Sequence, residues 1–256
     1  MSDWSHHSQN EWGEQFPISV RGKRQSPIDI RVADATKEDK APFKLELLSG
    51  DVKAHWTLSN NGHTIVVKPP AGVQWQLSGG VLEGTYVLDS FHSHWGHAAG
   101  HGCEHLLDGQ KFDGETHFVF KLTPDIATVE DKFVAYGIMM MEAPETHPKA
   151  KAIIDTVGAN LSKIVACGSS TQIPGLDLSA VAETNKGKEY FAYKGSLTTP
   201  PFAEAVLHVV FKEPLPIAKS VFDQLRSLVD SEGKKCTINY RGIQPLMGRK
   251  IHHCVA

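Results

Sequence analysis

The amino-acid sequence predicts a β-dominated α+β fold: a single domain built on one large, twisted, mostly antiparallel (mixed) sheet with a few peripheral helices. Three observations predict it. Short alternating or apolar runs recur between turn residues along most of the chain. Asn61-Gly62 joins two of these runs, a strong hairpin signal because both residue types tolerate positive φ. The regular exchange of strand and helix that a doubly wound parallel sheet requires is missing.

Taken in chain order, strands are expected over residues 52–58, 63–68, 73–77, 86–94, 117–122, 133–141, 190–194, 206–211 and 237–240. Helical spacing of apolar residues appears at 149–164 and 218–229, and Pro216 stands suitably ahead of the second. The chain has 256 residues, 41% hydrophobic, enough for one large core. No linker, repeat or low-complexity tract divides it, so residues 1–256 read as one domain.

Composition narrows the function. A net charge of −3 and a pI near 6.5, with no basic stripe, exclude a nucleic-acid partner. The longest apolar run, 134–141, is broken by Gly137 and far too short to span a bilayer, so no membrane partner is expected. The polar start through His6-His7 has no apolar signal core, and Cys103, Cys167, Cys236 and Cys254 are scattered. A reduced, cytoplasmic protein is expected. The His6-His7 and His252-His253 pairs near the two ends read as solvated tails.

The chemistry is concentrated in Phe91-His92-Ser93-His94-Trp95, answered later by Glu115-Thr116-His117-Phe118. On a strand, alternate residues share a face, so His92 and His94 lie side by side. A second strand brings in His117, with Glu115 on the same face. Three neutral imidazoles and an open fourth position are the ligand set of a catalytic zinc ion. A carboxylate at Glu115 is placed to accept the second N–H of a liganding His and fix its tautomer.

Further segments surround this core: Gly22-Lys23-Arg24-Gln25-Ser26-Pro27, Asn60-Asn61-Gly62-His63, Gly102-Cys103-Glu104-His105, Gly195-Ser196-Leu197-Thr198-Thr199-Pro200-Pro201, and Asn239-Tyr240-Arg241-Gly242. In this order they closely resemble the α-class carbonic anhydrases, over nearly the whole chain and in the form of the cytosolic members. The resemblance implies reversible hydration of carbon dioxide to bicarbonate and a proton, by attack of zinc-bound hydroxide. It implies a Zn2+ cofactor held by His92, His94 and His117. Thr198 matches the hydroxyl that accepts a hydrogen bond from the nucleophile and passes its own proton to Glu104.

His63 matches the proton shuttle, suited to it because an unperturbed imidazole titrates near 6.5. Asn61 belongs to the water network leading to His63, and Asn239 and Ser90, with Glu115, stand behind the ligands. Val119, Ala135, Leu197, Thr199 and His208 match positions lining the substrate pocket, while Arg241 and Gln25 read as framework. The resemblance also implies sensitivity to anions and sulfonamides, and a monomer.

Several positions depart from the family pattern. His208 stands where a Trp is common, Ala135 where a Val is common, and Ser93 replaces an aromatic residue between the ligands. Ser90 replaces a Gln that hydrogen-bonds the first ligand, and an early Tyr is missing, with His6 nearby. None of these removes a ligand. A related binding module without catalysis typically lacks a ligand His, and all three are present. A cupin would place a Glu soon after the first pair, where His97-Ala98-Ala99-Gly100 stands, and a zinc peptidase would need HExxH.

Overall fold

A computed structural model describes residues 4–256. Its centre is a 12-stranded mixed sheet, and the expected β-dominated fold with few helices is what the structure shows. The path across it runs Ser170–Ile173, Trp56–Asn60, Ile65–Lys68, Tyr86–Trp95, Gly114–Leu122, Phe133–Ala143, Val206–Ala218, Glu189–Gly195, His252–Val255 and Thr36–Lys37. Lys44–Ser49 and Gln74–Ser78 join it as a flap on Tyr86–Trp95. Most neighbours are antiparallel; Phe133–Ala143 with Val206–Ala218 and His252–Val255 with Thr36–Lys37 are parallel.

Alternation along the strands separates two cores. Phe91, Trp95, Phe118, Tyr190, Val209 and Phe211 face the larger one, covered by the Lys151–Gly158 and Lys219–Leu225 helices. Met139, Phe191, Tyr193 and Val210 face the smaller one, with Ile28, Ile30 and Phe112. Register then fixes the site. One row across the strands reads Val66, His92, His117, Gly137, Val210, and the next reads Ser90, Val119, Ala135, His208, Tyr193. Gly137 leaves room in the first row: a Cβ there would crowd Glu115 Oε1 at 3.2 Å and His117 at 3.3 Å.

The Asn61-Gly62 hairpin forms, with Asn60 opposite Ile65 and Gly62 at φ 85°. Residues 237–240, expected as a strand, form none; the segment is pinned at Asn239, whose N–H donates to Trp95 O at 3.3 Å and whose Oδ1 accepts the Trp95 N–H at 2.7 Å. The helix expected over 149–164 is the Lys151–Gly158 helix followed by a separate turn at Leu161–Ile164. Asn160 ends the first by donating to Thr156 O at 2.8 Å, a side-chain competitor for the helical bond. Val206–Ala218 runs past its expected end, so the helix expected at 218–229 starts at Lys219 and stops at Leu225.

The terminal histidines are not solvated tails. His6 is 8% exposed, His7 lies 3.4 Å from Asp230, and His252 and His253 sit on a sheet strand bonded to Glu38 and Glu189 at 2.8 and 2.7 Å. All four cysteines are free.

Candidate metal centre

The two central strands build the site. His92 stands directly opposite His117, and His94 opposite Glu115, so all four project from one face. The ring centroids of the three histidines are 4.9–5.3 Å apart. Their candidate ligand atoms lie within 4.8 Å of one another, an upper bound wider than the ~3.3 Å that two zinc–nitrogen bonds set at a tetrahedral angle.

Each ring is held by a second partner. The Nδ1 of His94 donates to the Asn239 carbonyl at 2.8 Å, which leaves Nε2 as its lone-pair nitrogen. That Nε2 is buried and makes no hydrogen bond. The Nε2 of His117 donates to Glu115 Oε1 at 2.7 Å, which leaves Nδ1 toward the cluster. Glu115 itself is fully buried and saturated: Oε1 also takes His105 Nδ1 at 2.7 Å, and Oε2 takes the backbone N–H groups of Glu104 and His105 at 2.9 Å each. Burial pushes this carboxyl up, and the His105 and His117 rings outweigh it, holding it well below the usual carboxylate range.

Burial lowers His92 and His94, so both stay neutral and able to ligate. For His117 burial pulls down, and Glu115 outweighs it. An orphaned buried nitrogen, two tautomers fixed from behind and an all-imidazole donor set fit a zinc ion. The other three-residue cluster among the described residues, His105, Glu115 and His117, is already joined by its own hydrogen bonds.

The cleft in front, about 480 Å³ including its mouth, is lined by His92, His94, His63, Asn61, Thr199 and Asn239 among others. His63 stacks on Trp4 at 3.8 Å, and its carbonyl accepts from Asn239 Nδ2 at 3.1 Å. The exposed Asn61 turns its Oδ1 to the backbone N–H groups of His63 and Thr64, at 2.9 and 2.8 Å, and so shapes the hairpin that carries His63.

Other expectations are met differently. Glu104 Oε1 accepts the Arg241 N–H at 2.9 Å, while Oε2 makes no hydrogen bond. The implied Thr198–Glu104 bond is therefore not formed; Oε2 faces the cluster, 3.4 Å from His94 Nε2 and 3.8 Å from His117 Nδ1. Ser90 lines the cleft, yet a bulge between Leu88 and Ser90 brings its hydroxyl to Asp89 at 2.9 Å rather than to His92.

Of the expected pocket residues, Thr199 lines the cleft, and Val119 and Ala135 form the row beside the ligands. Leu197 is half-buried in the loop that carries the buried Thr198. His208 belongs to the same row but does not open on the cleft. It is 1% exposed, stacked on Tyr193 and donating Nε2–H to Ser196 O at 2.8 Å, which leaves Nδ1 an unpartnered acceptor. Arg241 is framework, as expected, bonding Gln25, Ser26 and Ser19.

Sequence reasoning gave no role to His105, Tyr193 or Ser26. They extend the network behind His117: His105 Nε2 meets the Tyr193 hydroxyl at 2.6 Å, which reaches Ser26 Oγ at 2.9 Å. The only sequence signal was the place of His105 beside Glu104.

The profile of the eukaryotic-type carbonic anhydrase family matches residues 7–255. The chain belongs to this family. It is also similar to mouse carbonic anhydrase 1, at 30% identity over 98% of this chain and 97% of that protein. Among carbonic anhydrases the metal is zinc, and this chain presents the three imidazoles for it.

Proposed function

We propose that the chain catalyses the reversible hydration of carbon dioxide to bicarbonate and a proton, as a cytoplasmic, zinc-dependent enzyme. The observation that carries this reading is the unpartnered Nε2 of His94 beside His92 and His117, with Asn239 and Glu115 fixing which nitrogens face the cluster. Zinc in carbonic anhydrases lowers the pKa of its bound water to about 7, the established figure for this chemistry.

The chain's own residues then divide the work. His92, His94 and His117 hold the ion, and Glu115 raises the basicity of His117. Val119, Ala135 and Leu197 offer carbon dioxide an apolar wall. Thr198 would accept a hydrogen bond from the nucleophile, and Glu104 would take the Thr198 hydroxyl proton as a hydrogen bond once its uncommitted Oε2 turns from the histidines toward it. His63 moves the released proton outward through water ordered beside Asn61 and Thr199, and its stacking on Trp4 keeps it at the cleft. Anions and sulfonamides are expected to inhibit by competing for the same site. Among the described residues, no helix is long and apolar enough to cross a membrane.

His117→Ala should lower zinc content and hydration together, by a hundredfold or more in rate, about the scale of losing a key catalytic interaction. Full activity in a zinc-free variant would refute the metal centre. Zinc bound in the parent chain without turnover would favour a non-catalytic binding module.

A further inference from the structure

The chain turns sharply as it leaves Trp95, the end of the first ligand strand. Gly96 and Gly102 close a small loop, His97-Ala98-Ala99-Gly100-His101, against the start of the Gly114–Leu122 strand. The closure is tight: a Cβ at Gly96 would run into His101 O, and one at Gly102 into Asp113 O. The buried Asp113 accepts the Gly100 N–H, Gly102 N–H donates to Phe112 O at 2.9 Å, and Arg226 Nε donates to Gly96 O at 2.8 Å. The loop backbone is thereby held at both ends and at Gly100.

His97 and His101 project from this loop, and both are exposed. Their ring centroids lie 5.1 Å apart, with planes 23° apart. The three ligand rings of the buried cluster lie 4.9–5.3 Å apart by the same measure. Bonds of about 2.0–2.1 Å to one tetrahedral zinc ion place two imidazole centroids ~5 Å apart, so the pair already stands at chelating separation. Neither ring has a hydrogen bond or an ion pair with any described residue. Each neutral imidazole therefore keeps a free acceptor nitrogen, on a backbone whose position is fixed before an ion arrives.

We propose that His97 and His101 form a second transition-metal site, which takes one divalent ion of the zinc, nickel or copper class through one nitrogen of each ring and completes its coordination with water. Imidazole donors suit these ions over magnesium or calcium, which prefer oxygen. With two donors against three, and both rings exposed, the site binds more weakly than the buried cluster and exchanges its ion with solvent. It stands apart from the hydration reading, since neither ring lines the cleft.

The test titrates the full chain with Zn2+ while imidazole 15N shifts are followed. The first equivalent should move His92, His94 and His117, which reports the buried cluster separately. Further zinc should move His97 and His101 together, along one saturable curve. Chelation makes a distinctive demand on variants, both of them on an exposed loop. His97→Gln and His101→Gln should each weaken this second step by about tenfold or more, and the double variant should lose little beyond either, because one substitution already leaves a lone imidazole. Single variants that keep the parent's affinity at the remaining ring would show two independent surface histidines and overturn the site. So would further zinc that moves other histidines and leaves these two unchanged.

Discussion

Glu115 decides how His117 presents itself. With four donors on its two oxygens it has no freedom to turn, so His117 offers one fixed nitrogen to a metal. Replacing it by Gln puts an N–H group against at least one of those donors. Glu115→Gln should therefore weaken zinc binding by about 10–100-fold in a competition titration with a chelator, while the fold persists. An unchanged affinity would leave Glu115 a packing residue. The ligands themselves were legible because a strand alternates with period two, and His-x-His with Glu-x-His needs nothing more. His6 and His105 were not legible in that way. His6 lies on a 3-10 turn, whose few residues give no periodic signal, and His105 leaves the chain only a neighbour, Glu104, as a clue. The bonding choice of Glu104, Arg241 rather than Thr198, depends on a contact far along the chain.

At the scale of elements, the Tyr86–Trp95 and Gly114–Leu122 strands serve two faces at once. In front they carry the histidines; behind, Ser93 and Thr116 project toward an apolar cavity lined also by Ile65, Phe91, Ile153 and Phe222. The two hydroxyls satisfy each other at 2.8 Å, and Thr116 also reaches Met140 Sδ at 3.3 Å. Removing one partner should cost about 1 kcal/mol, and removing both costs less than the sum. Urea unfolding of Ser93→Ala, Thr116→Val and the double variant measures this; strict additivity would show that the pair is not coupled. Strands that alternate cleanly were the ones read from sequence. Lys44–Ser49, almost wholly exposed, the edge strand Ser170–Ile173 and the short His252–Val255 strand have no such pattern and were found only in the structure.

The whole molecule is closed at one sheet edge by parallel pairing of Thr36–Lys37 with His252–Val255, and Glu38 clamps that junction. Lys250, Lys40 and His252 lower its carboxyl from 4.5 to about 2. A carboxyl so depressed stabilises the folded chain above pH 4.5, and the contribution fades as pH falls toward about 2. Glu38 is half-buried at the surface and its lysine partners are exposed, so solvent screening keeps the effect small. Glu38→Gln should lose less of its urea midpoint over that interval than the parent; an equal loss would show the clamp is idle. Membership of the carbonic anhydrase family, the sheet and the histidine cluster together make one central claim, that this chain hydrates carbon dioxide at zinc. Stopped-flow hydration on purified protein, with zinc content determined on the same sample, tests it most directly. The account predicts fast turnover that scales with zinc, disappears on chelation and returns on adding zinc back. One zinc per chain with no turnover above the buffer rate would contradict it.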